Sequence, residues 1–116
     1  MATQSLALLK GTLDLLILKT VSWGPMHGYG ISRWIRERSG EAFRIEEGAL
    51  YPALRRLERK GWLKAEWGET DTGREAKFYE LTPEGQARLE AEAREWGRYV
   101  EAMARVLNAP RPAWAM

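Results

Sequence analysis

Four cations crowd one short stretch of this chain, Arg55, Arg56, Arg59 and Lys60, just after Tyr51 and Pro52. A guanidinium is a planar fork of donors that matches the outer edge of guanine or two oxygens of a phosphate, and a phenol such as that of Tyr51 can reach a phosphate. That chemistry is recognition of nucleic acid rather than the making of bonds. The same charges also suit a solvated face, because Glu46, Glu47 and Glu58 are interspersed among them. Elsewhere there is little to work with. One histidine and no cysteine leave almost nothing for a transition-metal site, since zinc draws mainly on those two side chains. A hydrolytic triad would have to use His27, between Met26 and Gly28, and nothing near it resembles a nucleophile elbow. No enzymatic activity, no cofactor and no metal are expected. The formal charge of +2, from 18 Lys and Arg against 16 Asp and Glu, permits an anionic partner without demanding one; the distribution of charge carries more information than its total.

Length bounds the architecture that can position these residues. At 116 residues the chain supports one core and one protruding helix. No secretory leader is evident and cysteine is absent, so a reducing cytoplasm is the expected location. The longest apolar run, Leu13 to Leu18, contains Asp14 and is followed by Lys19, far short of the roughly 20 residues that cross a bilayer.

Helical spacing predicts a first helix over Leu13 to Trp23, capped by Thr12, with Asp14 in its first turn and Gly24-Pro25 as its stop. Leucine or another apolar residue occupies nearly every side of it, the pattern of a helix covered on several faces. A second helix is expected from Gly28 to Ser39-Gly40 with Ile31, Trp34 and Ile35 as its stripe. Gly28 and Gly30 are poor helix residues and imply close backbone approach. A third runs from Glu47 to Lys60, burying Leu50, Leu54 and Leu57. Pro52 fits there only near a bent first turn, where the carbonyl it crowds is that of Gly48. Trp62 to Trp67 and Lys77 to Leu81 read as a β-hairpin around the polar stretch from Gly68 to Gly73. Thr82, Pro83 and Glu84 then open a long helix ending at Leu107.

Three helices and a hairpin in this order make a winged helix-turn-helix. The fold class is mainly α with a small β-hairpin, plus a long C-terminal dimerisation helix. Residues 1–81 form the DNA-binding domain, residues 82–108 the dimerisation helix, and residues 109–116 a disordered tail that includes Trp114. In such folds the N-terminal half of the third helix meets base edges. Here that half presents Glu47, Ala49, Tyr51, Pro52 and Arg55 to double-stranded DNA. On the last helix Leu89, Ala93, Trp96, Val100, Met103 and Leu107 recur alternately four and three residues apart, a heptad seam that must bury against something. It could fold back on its own core, but a second copy of the chain, offering its first helix, is the favoured partner.

The stretches GTLDLLIL, GPMHGYGI, EGALYPALRRLERKGWL and KFYELTPEG, spanning Gly11 to Gly85, resemble the PadR family of bacterial transcriptional regulators. That resemblance implies a winged helix-turn-helix homodimer on an inverted-repeat operator, usually a repressor, and in many members release from DNA on binding a phenolic acid or drug. It implies phosphate contacts from the wing at Arg74 and Lys77. His27 and Tyr29, in the HGYG motif, are expected to pack between helices. In short members that bind planar drugs an aromatic of the last helix lines a pore at the dimer interface, and Trp96 occupies the comparable position. Trp96 and its symmetry mate, with Val100, are therefore candidates for stacking on a planar aromatic effector; a tryptophan that merely fills the dimer core fits as well. A winged fold used only for protein contacts is the principal rival to DNA binding.

Overall fold

The computed structural model describes residues 6–9 and 11–115. The expected domain boundaries therefore include positions, residues 1–5, 10 and 116, that lie outside the described residues. The chain folds as α1 (Thr12–Val21), β1 (Met26–His27), α2 (Gly28–Arg38), α3 (Glu47–Arg59), β2 (Leu63–Glu69), β3 (Glu75–Leu81) and α4 (Pro83–Leu107). The three strands form one antiparallel sheet in the order β1-β3-β2.

The first three helices and the start of α4 turn apolar residues inward. Ile17, Leu18 and Val21 of α1, Ile31 and Ile35 of α2, and Leu50, Ala53, Leu54 and Leu57 of α3 meet Leu63 and Tyr79 of the sheet and Leu89 of α4 in a single core. Burial of side chains of this size contributes roughly 1.5–3 kcal/mol each, and it packs the inner face of α3 onto the core. Asp14, expected to favour the α1 dipole, also joins α1 to α3 through an ion pair with Arg56.

Several boundaries differ from the sequence expectation. Gly11, at φ +85°, is the cap of α1, while the Thr12 hydroxyl donates to the Leu9 carbonyl at 2.6 Å. The helix stops at Val21, two residues early: the Ser22 N–H turns to the Lys19 carbonyl at 3.1 Å and the Gly24 N–H to the Val21 carbonyl at 3.2 Å, and Gly24 takes φ +143°. β1 was not expected at all: Met26 and His27 pair with Tyr79 and Phe78. His27 does not pack between helices. It caps α2, its Nδ1 accepting from the Gly30 N–H at 3.0 Å, and its ring meets Phe78 edge-on at 5.4 Å. Tyr29 points outward, 65% exposed. The hairpin strands are longer than expected, and the turn is confined to residues 70–74, closed by the Thr70 N–H donating to the Arg74 carbonyl at 2.8 Å.

The start of α4 is built as its sequence demands. Thr82 Oγ1 accepts from the Gly85 N–H at 3.0 Å, Pro83 occupies the first turn, and Glu84 faces the positive end of the dipole. Leu89 is buried in the core of its own chain, so the predicted seam divides there. From Ala93 to Leu107 every residue of α4 is exposed, an extension of about 22 Å at 1.5 Å per residue.

Candidate nucleic-acid interface

Successive residues of a helix are about 100° apart, which places Gly48, Pro52, Arg55 and Arg59 along the line of α3 opposite its buried stripe. All four are exposed. Glu47 and Ala49, also exposed, flank that line in the first turn, and Tyr51 borders it at 36% exposure. Of the predicted contact residues on α3, then, the structure brings Pro52 and Arg55 onto one outward face, with Glu47, Ala49 and Tyr51 at its margins. Pro52 sits inside α3, at the sixth position. It lacks the N–H that would bond to the Gly48 carbonyl.

Tyr51 has a second duty. A Cβ added at Gly28 would come within 2.9 Å of both Cε1 and the hydroxyl of Tyr51, so the tyrosine ring lies directly on the backbone that begins α2. This is the close approach that the glycine of the second helix implied. Gly30 likewise leaves room for Met26 and the His27 ring. Arg56, although part of the cationic run, turns sideways to Asp14, and Lys60, past the end of α3, lies over the Trp62 ring, leaving Arg55 and Arg59 as the cations of the outward line.

In the wing, Arg74 lies at the end of the turn, its carbonyl accepting from the Thr70 N–H. Lys77 is on β3 opposite Trp67, but its ammonium is 3.4 Å from Glu58 of α3 and lies over the Tyr79 ring. Lys77 therefore ties the wing to α3, a role that sequence alone did not show because its partner is 19 residues away. Tyr79 itself is buried, and burial raises its phenol pKa above the usual value, with nearby Lys77 opposing and Glu58 reinforcing the shift.

Beyond the core, α4 exposes Trp96, Tyr99, Val100, Met103, Val106 and Leu107. Trp96 and Tyr99 stack at 5.7 Å with an interplanar angle of 18°. Tyr99 and Val106 were missed in the heptad reading, although they stand three and ten residues after Trp96 and widen the same stripe. Among the described residues no group of acids and histidine is arranged to hold a metal ion, and no helix is long and apolar enough to cross a membrane.

Residues 17–91 match the transcriptional regulator PadR-like family. This chain belongs to the PadR-like family. It is similar to a PadR family transcription regulator of Clostridium difficile, whose crystal structure superposes with a TM-score of 0.71 at 31% identity, covering 85% of this chain and 100% of that one. A PadR-like regulator from Bacillus cereus superposes at 0.77 with 25% identity, covering 87% of this chain and 96% of that one. A transcriptional regulator of Mycobacterium tuberculosis is 34% identical over 85 residues, 73% of this chain and 76% of that protein. As a PadR-like protein the chain is a transcriptional regulator and not an enzyme. Its four helices and three-stranded antiparallel sheet are the winged helix fold, with the long C-terminal helix present.

Proposed function

We propose that this PadR-like regulator is a homodimeric repressor that lays α3 of each subunit in the major groove of an inverted-repeat operator and leaves it when an effector binds. One observation carries the reading: α3 is held by its inner face and its flanks, so that the line Gly48, Pro52, Arg55, Arg59 is open along its length. The major groove, about 12 Å wide, admits a helix presented this way. Arg55 is the residue assigned to a guanine edge, with Glu47, Ala49 and Pro52 beside it and Tyr51 at the flanking phosphate. Arg74 and Lys77 are assigned to the backbone under the wing, Lys77 exchanging Glu58 for a phosphate as it docks.

The division of labour follows the core. Residues 1–81 bind DNA, α4 joins two subunits, and the tail beyond Asn108 belongs to neither task. Ala93, Trp96, Val100, Met103 and Leu107, widened by Tyr99 and Val106, form a contiguous apolar face of the kind that marks an interface. The half-buried Leu13, Leu15 and Leu16 of α1 are the surface a second subunit offers it. Leu89 contributes only by holding α4 to its own domain. The effector reading rests on the Trp96–Tyr99 stack, whose outer face, beside Val100, offers a flat aromatic ligand a surface to extend. Such a ligand acts only through a difference in affinity between the DNA-competent and incompetent arrangements of the dimer.

The test is titration of a labelled duplex from the region upstream of its own gene, across a salt series, with excess unrelated DNA. Binding that survives competitor, two protomers per duplex and a steep salt slope are expected. Fully competed, salt-insensitive binding to that duplex, and to fragments selected genome-wide, would contradict the reading.

A further inference from the structure

A second basic cluster lies on α2. Tyr29, Ser32, Arg33 and Arg36 fall on one stripe of that helix, and with Arg44 and Ile45 of the segment entering α3 they line a shallow cleft of about 80 Å³. That volume suits a single oxyanion and is far below the roughly 300–1,000 Å³ of drug-sized sites. Two carboxylates serve three guanidiniums: Glu37 holds Arg33 at 2.8 Å, and Glu41 stands 3.3 Å from Arg36 and 3.9 Å from Arg44. Glu41 reaches both from a left-handed backbone at φ +68°, a conformation that costs a non-glycine residue free energy and is retained where its surroundings impose it. The guanidiniums are thereby held around the cleft with one positive charge in excess.

The cleft borders the half of α3 assigned to the groove. Ile45 is two residues before α3 begins, and the Tyr51 ring rests on Gly28 at the start of α2. The wing, in contrast, carries Glu66, Glu69, Asp71, Glu75 and Glu80 against Lys64, Arg74 and Lys77. Lys64 is paired with Glu80, and Lys77 with Glu58. The wing therefore attracts a polyanion weakly, and most of the phosphate grip must come from elsewhere. We propose that the Arg33–Arg36–Arg44 cleft is a phosphate-binding site that anchors the DNA backbone beside α3. The inference rests on the DNA-binding reading above and adds the place where the backbone is held.

The experiment compares wild type, Arg33→Gln/Arg44→Gln and Arg33→Lys/Arg44→Lys on operator and unrelated duplexes over a salt series. Arg98→Gln/Arg111→Gln serves as a control of equal charge change on α4 and the tail, and circular dichroism checks folding. For each phosphate released from its guanidinium, binding to both duplexes should weaken roughly five- to tenfold at 0.1 M salt, and the salt slope should become shallower by about 0.9. The ratio between duplexes should stay constant, the lysine variant should recover the slope, and the α4 control should match wild type. A glutamine variant with wild-type slope and affinity overturns the site. So does a variant that loses binding of inorganic phosphate itself at fixed ionic strength while its affinity for both duplexes is unchanged, which marks a free-anion site unrelated to DNA. Arg55→Gln run alongside separates the two claims: if it alters the ratio while the cleft variants change nothing, only the cleft inference fails. If wild type shows no salt-dependent binding, both fail.

Discussion

Two glycine-to-alanine substitutions in helices should have opposite effects on stability. In an open helical site the change is worth up to about 1 kcal/mol in favour of alanine. Gly85, in the first turn of α4, is not open: a Cβ there would stand 2.1 Å from the Trp62 carbonyl oxygen and 2.8 Å from Leu81 Cδ1. Backbone cannot rotate away as a side chain can, so the start of α4 must retreat by about 1 Å. That retreat strains the Thr82 N–H bond to the Trp62 carbonyl at 3.1 Å and the cap from the Gly85 N–H to Thr82 Oγ1 at 3.0 Å, and it loosens Leu89 in the core. With the cap and the bond at about 1 kcal/mol each and overpacking at about 1–3, less the propensity gain of about 1, Gly85→Ala should lose about 2–4 kcal/mol. At about 4–8 °C per kcal/mol, Tm should fall by roughly 10–30 °C. Gly48→Ala meets nothing within 4 Å and should raise Tm by a few degrees, yet weaken operator binding, because its methyl projects from the outward line of α3. Both are read by thermal unfolding at one fixed protein concentration, since an oligomer's Tm depends on it. A Gly85→Ala protein at least as stable as wild type would refute the steric reasoning.

Tyr79 makes stability sensitive to alkaline pH. Its folded pKa is raised above the unfolded value of about 10, so its contribution is fully present below pH 10 and is lost as pH climbs through the folded value. Urea unfolding at rising pH should show Tyr79→Phe falling less steeply than wild type; parallel curves would assign the loss to other groups. Val100→Glu places a charge in the α4 seam, where Val100 is 46% exposed in the single chain. Light scattering should show the variant at the 13.3 kDa of one chain with helix content intact, where wild type shows twice that mass. A variant that stays dimeric would place the interface elsewhere.

The parts of the fold legible in sequence were those whose signals are local. The Thr82-Pro83-Glu84 start of α4 and the inner stripe of α3 are written in consecutive residues, and the outward position of Arg55 follows from that stripe. The structure departs where the deciding partner is distant. A two-residue strand shows no alternation, so β1 is defined only by its pairing with Tyr79 and Phe78. A heptad of apolar residues does not say which surface each will meet, and Leu89 went to its own core while Trp96 and Val100 did not. The four cations at the end of α3 and just past it, Arg55, Arg56, Arg59 and Lys60, look alike in sequence. Asp14, 42 residues before Arg56, removes that one from the outward face, and the wing's Lys77 is drawn to Glu58. Arg33, Arg36 and Arg44 are scattered over twelve positions and become a cluster only when the turn at Gly40 and Glu41, both at positive φ, folds Arg44 back on α2.

The most direct test of the central claim is the ratio of operator to unrelated-duplex affinity for wild type, Arg55→Ala and Lys77→Ala under one salt condition. Arg55→Ala should cost roughly 1–3 kcal/mol on the operator, relax preference at one base pair and lower the ratio, whereas Lys77→Ala should weaken both duplexes alike and keep it. An Arg55→Ala protein that binds its operator with wild-type affinity and selectivity would show that the outward face of α3 does not read the DNA.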